Sequence, residues 1–134
     1  KEHYDVIIVG TGAAGLYCAL TFGENENPAY HQAGGRPVRF ILAQGGICVL
    51  RDEQDYDSYF EDTMRAGHYE NRKESVDIMI AVLEKNHEDL VGYGVEFEKD
   101  GEAFAIHKRG AHSRPRILFH ADVTGKEITS KLLA

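Results

Sequence analysis

Cysteine is scarce in this 134-residue chain: Cys18 and Cys48 stand far apart with no C-x-x-C between them. They are too few and too isolated for a zinc centre or a disulfide framework, and they read as two reduced thiols of a cytoplasmic protein. The seven histidines form no H-x-x-x-H or H-E-x-x-H pair, so no metal site is expected. Positive charge is also short. Fifteen Lys and Arg against 22 Asp and Glu give a net charge of -7, which excludes a phosphate-tracking nucleic-acid surface. No apolar run approaches the length that spans a membrane, and Lys1-Glu2-His3 has no signal-peptide character. Any anion this chain holds must be gripped by local groups.

Glycine, in contrast, is plentiful and placed. The apolar run Tyr4-Asp5-Val6-Ile7-Ile8-Val9 is followed by Gly10-Thr11-Gly12-Ala13-Ala14-Gly15 and then by a small-residue segment carrying Leu16 and Leu20. A strand that turns into a helix across G-x-G-x-x-G brings a diphosphate against backbone N–H groups at the positive end of the helix dipole. Gly10 ends the strand in a tight turn, Gly12 clears the approach of the pyrophosphate, and Gly15 lets helix and strand pack closely. The sequence thus begins as a dinucleotide binder, with FAD and NAD both open at this point. With 43% hydrophobic and 28% charged residues it has the composition of a soluble globular domain. One domain is what 134 residues allow, so a piece of something larger is expected.

Farther along, Gly23 to Arg36 reads as loop, since Asn25, Asn27, Pro28, Gly34, Gly35 and Pro37 favour turns. Val38 to Leu42 is the expected second strand. No carboxylate stands at its end to meet a ribose, whereas Arg36 and Arg39 leave room for a 2′-phosphate as in NADP binding. Leu42-Ala43-Gln44-Gly45-Gly46 forms a second glycine-bearing loop, able to present backbone N–H groups to an anion or to the polar edge of a ring. Helical spacing of Tyr56, Tyr59, Phe60 and Met64 predicts a helix from Asp55 to Gly67. A longer one is predicted from Glu74, its stripe running through Val76, Ile80, Leu83, His87 and Leu90 until Gly92 and Gly94. His87 on that stripe reads as a hydrogen-bonded, partly buried side chain. Alternation in Val95 to Glu98 and Ala103 to Ile106 around Lys99-Asp100-Gly101 predicts a hairpin. Thr124 with Glu127 predicts a capping box opening a final helix, which runs to the end of the chain.

Between hairpin and final helix, His107 to Arg116 concentrates Lys108, Arg109, Arg114 and Arg116 with two histidines in an otherwise acidic chain. Arginine forks bind carboxylates, and histidine shuttles protons near neutral pH. A small dicarboxylate suits such a loop; a solvated basic loop pairing with Glu96 and Glu98 is the plain alternative.

Taken jointly, Tyr4 to Leu16, Leu42 to Ile47, Gly110-Ala111-His112-Ser113 and Asp122-Val123-Thr124-Gly125-Lys126-Glu127 resemble the flavoprotein family of L-aspartate oxidases, succinate dehydrogenases and fumarate reductases, in order and approximate spacing. The resemblance covers nearly the whole chain and implies an α/β fold: part of a Rossmann-like FAD-binding domain, a parallel sheet with flanking helices and a small β-hairpin. It places residues 1–134 in the N-terminal part of that domain, without the capping and C-terminal helical domains. It also implies oxidation of L-aspartate to iminoaspartate with electrons passed to oxygen or fumarate, in quinolinate and NAD synthesis, with quinolinate synthase as a partner of the full enzyme. Gly10, Thr11, Gly12, Ala13, Ala14 and Gly15 would then hold the diphosphate, and Leu42, Ala43, Gln44, Gly45 and Gly46 would line the flavin. His112, Ser113, Arg109 and Arg116 would lie toward the substrate, Arg109 standing where the oxidases carry a glutamate. Arg39 stands where the dehydrogenases carry the flavin-linking histidine, so FAD is expected to bind non-covalently. A non-catalytic module binding FAD or NADP is the second reading.

Overall fold

Four consecutive β-favouring residues form β1, Val6–Val9, and the turn at Gly10 (φ +105°) hands the chain to helix α1, Ala13–Leu20. The computed structural model describes residues 3–22, 28–31, 39–108 and 110–134. Strand β2, Pro28–His31, lies parallel to β1 with Val6 opposite Pro28 and Val9 opposite His31. The expectation of loop throughout Gly23 to Arg36 is therefore corrected. Proline is tolerated at the first residue of a strand, where its missing N–H costs no ladder bond, and pairing with β1 outweighs the turn composition.

The expected strand at 38–42 is corrected as well. Arg39–Leu42 is a single 3-10 turn, closed locally by Ala43 N–H donating to Phe40 O at 2.9 Å; Val38 lies outside the described residues. Next come β3, Ile47–Cys48, and, after a 3-10 turn at Glu53–Asp55, helix α2, Tyr56–Ala66. The predicted long helix is two, α3 at Lys73–Ala81 and α4 at Leu83–Gly92. The break at Val82 (φ -98°, ψ 1°) divides one apolar stripe between two cores. Val76, Ile80 and Leu83 pack with Tyr59 and Met64, whereas Leu90 packs with Leu16, Val95 and Ile128.

The hairpin forms with its turn shifted by two residues: β4, Lys99–Asp100, pairs antiparallel with β5, Ala103–Phe104, across Gly101-Glu102. Val95 and Phe97 point into the core instead of lengthening the strand. Strand β6, Ile117–Leu118, pairs antiparallel with β3, and α5, Thr124–Leu132, closes the described chain. No capping box opens α5. The Thr124 hydroxyl accepts from His120 N–H and the Glu127 carboxylate accepts from Glu96 N–H, each at 3.0 Å. Both side chains thus tie neighbouring loops to the helix. His87 is not hydrogen-bonded through Nε2, a buried atom with no partner. Its ring packs edge-on against Phe104 at 4.9 Å. Among the described residues no helix is long and apolar enough to cross a membrane.

Candidate functional site

The first glycine loop sits at the junction of β1 and α1. Gly12 occupies the N-cap position of α1 in extended geometry (φ -77°, ψ 173°), and a Cβ built there would meet nothing within 4 Å. Gly15 is the opposite case: its Cβ would run into the carbonyl oxygen of Gly10, with Ile8 Cγ2 at 3.5 Å. One glycine keeps the helix end clear, and the other lets α1 lie on β1 with Leu16 fully buried. That separation of roles suits a cradle for a diphosphate.

The second loop is anchored to a distant part of the chain. Gly125 N–H donates to Ala43 O at 2.9 Å, and Gly125 has no room for a Cβ beneath Phe40 O and Ala43. Gly46 (φ +97°) abuts Leu118 O in the same manner, whereas a Cβ at Gly45 would face open space. Gln44 Nε2 donates to Asp122 at 2.8 Å. An apolar cleft of about 320 Å³ joins the two loops, lined by Ala13, Ala14 and Tyr17 from α1 and by Phe40 and Ile47 on either side of the second loop.

The basic segment divides. Arg109 and the Arg36 of the NADP reading lie outside the described residues, as do Gly34 and Gly35. Arg116 is completely buried. Its Nε and Nη2 grip Asp55 at 2.7 and 2.8 Å, its Nη1 reaches Asp62 at 2.7 Å and its Nη2 reaches Ser58 at 2.6 Å. Its guanidinium also stacks 5.1 Å from the centre of the Tyr59 ring. Four of its N–H groups are therefore satisfied inside the protein. Ser113 joins the same network, donating to Asp62 from its backbone N–H at 2.6 Å and from its hydroxyl at 2.7 Å. Among the described residues, the segment pairs with Asp55 and Asp62 and not with Glu96 or Glu98.

Sequence reasoning misses Asp55 and Asp62, although Asp55, Ser58 and Asp62 stand at i, i+3 and i+7, one polar line beside the aromatic stripe of Tyr56, Tyr59 and Phe60.

His112 sits beside this network, its Nε2 3.5 Å from Cys48 Sγ and its Nδ1 buried without a partner. Burial, and then the Arg116 charge, push its pKa down, so it is neutral at pH 7 and able to accept a proton. For Asp62, burial alone would favour the neutral acid. The two Ser113 hydrogen bonds and then Arg116 outweigh it and hold the carboxyl well below the usual carboxylate range. A depressed native pKa gives stability that is fully present above the unfolded value of 3.8 and is lost as pH falls toward the native one. Urea unfolding from pH 5 down to pH 2 is expected to show a loss that begins near pH 4 and is much smaller in Asp62→Asn; parallel profiles for the two proteins would contradict this role.

Residues 5–134 match the family model described as FAD binding domain. The chain is 41% identical over 134 residues to the L-aspartate oxidase of Clostridium perfringens, covering 99% of this chain and 30% of that protein. It is 36% identical to that of Synechocystis sp., covering 98% and 24%. Among solved structures it matches Mycobacterium smegmatis Sdh1 in complex with UQ1, with a TM-score of 0.88 and 26% identity over 96% of this chain and 23% of that one. A quinol-fumarate reductase with menaquinol molecules shares the fold, with a TM-score of 0.87 at 23% identity over 97% and 24%. The chain spans at most 30% of the length of these relatives.

Proposed function

This chain belongs to the FAD binding domain family, and from that premise we propose that it is the nucleotide-holding part of a flavin-dependent L-aspartate oxidase. The β1–α1–β2 unit is read as the beginning of a Rossmann-like parallel sheet. Gly10 to Gly15 hold the diphosphate on the α1 N-terminus, and Leu42 to Gly46 line the flavin. One observation carries the reading: Gly12 leaves the helix end open while Gly15 is pressed against Gly10, the division of labour that a diphosphate-binding turn requires.

FAD, when bound, supplies a two-electron acceptor. The chain's own residues position and exclude. The cleft at Ala13, Ala14, Phe40 and Ile47 offers apolar walls, and neutral His112 is a proton acceptor on the side assigned to substrate. Arg116, its donors engaged by Asp55, Asp62 and Ser58, acts as a positioning residue that fixes Ser113 and the loop bearing His112. Gripping a dicarboxylate such as L-aspartate or fumarate falls to Arg109 and Arg114. On this reading the whole enzyme works in the cytoplasm, with quinolinate synthase as its partner. Its FAD is non-covalent, on the sequence argument at Arg39.

The test is a visible absorbance titration with FAD. Bound flavin released by acid is the expected result, with the chain stabilised by about 2.7 kcal/mol at a hundredfold excess over Kd. Failure to bind at saturating FAD, with stabilisation by NADP instead, would favour the non-catalytic module.

A further inference from the structure

Beside the Arg116 network lies a pocket of about 240 Å³ whose walls include Cys48, Tyr59, Asp62, Met79, Ala111 and His112. The half-buried sulfur of Cys48 faces His112 Nε2 at 3.5 Å, and Tyr59 lines the same pocket. We propose that Cys48 is a selectively reactive thiol with His112 as its proton acceptor, a modification site for small uncharged electrophiles and in particular for hydrogen peroxide.

Three features argue for this chemistry. The nucleophile is the thiolate, so a thiol reacts according to what removes its proton and what steadies the charge left behind. The imidazole is neutral and accepts; burial, and then the nearby Cys48, push the Tyr59 hydroxyl up, so it stays protonated. The charged groups acting on His112 are Arg116, Asp62 and Asp55, two carboxylates to one guanidinium, with Arg116 and Asp62 in a 2.7 Å contact. The Asp62 carboxylate in the wall disfavours anionic reagents and leaves the site to neutral ones. Cys18, exposed on α1, is the internal reference thiol.

The step balances. His112 Nε2 takes the thiol proton, and the sulfur attacks one peroxide oxygen, so that an S–O bond forms as the O–O bond breaks. Sulfur loses two electrons to give the sulfenic acid. The departing hydroxide takes the proton from His112 and leaves as water.

Peptide mapping of the purified chain after brief iodoacetamide treatment at pH 7 tests the assignment. Cys48 is expected to label about tenfold faster than Cys18 despite its lesser exposure. His112→Gln is expected to slow Cys48 about fivefold with Cys18 unchanged, and Tyr59→Phe, which keeps the ring in the core, about threefold. Limited hydrogen peroxide followed by dimedone should tag Cys48 and spare Cys18. Faster labelling of Cys18 in the unaltered chain, or a Cys48 rate indifferent to both substitutions, would overturn the proposal; absence of the dimedone adduct would overturn its peroxide chemistry. None of these readouts depends on bound FAD.

Discussion

Arg116→Ala is expected to destabilise the chain by about 3 kcal/mol, because it removes the buried fork shared by two buried carboxylates and leaves Asp62 to the exposed Arg65 and Asp55 to the more distant, exposed Arg114. Asp55 and Asp62 are 0% and 4% exposed, so water cannot replace the guanidinium. Ordinary domains are stable by about 5–15 kcal/mol in total, so the loss is a large share of that margin. Arg116→Lys separates charge from shape. It keeps one cation but loses the fork that spans Asp55, Asp62 and Ser58 together, and should fall between the two. Urea midpoints for the three proteins are the measurement. An alanine variant within 1 kcal/mol of the parent would show that the network adds specificity rather than stability.

Gly15→Val and Gly12→Ala are expected to weaken cofactor binding for different reasons. At position 15 a side chain collides with Gly10 O, which is backbone and cannot move aside, so α1 must lift from β1 and both stability and FAD affinity fall. At position 12 a methyl group meets nothing within 4 Å in the protein, so stability should hold. FAD should nonetheless bind about a hundredfold more weakly, a loss of about 2.7 kcal/mol. Thermal unfolding alongside flavin titration distinguishes the pair. If Gly12→Ala bound FAD as well as the parent, the assignment of the diphosphate to this turn would be wrong.

Legibility in the sequence followed the range of the forces involved. Wherever neighbours along the chain decide conformation, the pattern is readable: the β1–Gly10–α1 junction and the aromatic stripe of α2. Where distant partners decide, it is not. Strand β2 exists because β1 pairs with it, and Pro28-Ala29-Tyr30-His31 carries no alternation of its own. Phe40-Ile41-Leu42 looks like a strand by composition, but Ala43 N–H donates back to Phe40 O while Gly125 N–H donates to Ala43 O, and it coils instead. Thr124 and Glu127 have the spacing of a capping box, yet partners at His120 and Glu96 claim them first. The basic segment misled in the same way. Arginine density suggests a ligand, and the fold reveals that Asp55, just before α2, and Asp62, on α2, occupy Arg116, the deepest of those arginines.

Ile8 of β1 is buried under α1, but its neighbours Ile7 and Val9 on the other face are 66% and 82% exposed. In colloidal terms this is an adhesive strip on a particle kept dispersed by its net charge of -7. Salt that screens that charge shortens the range of repulsion without weakening the apolar attraction. The same strip therefore sets an upper bound on the ionic strength and concentration at which the chain remains a single dispersed species.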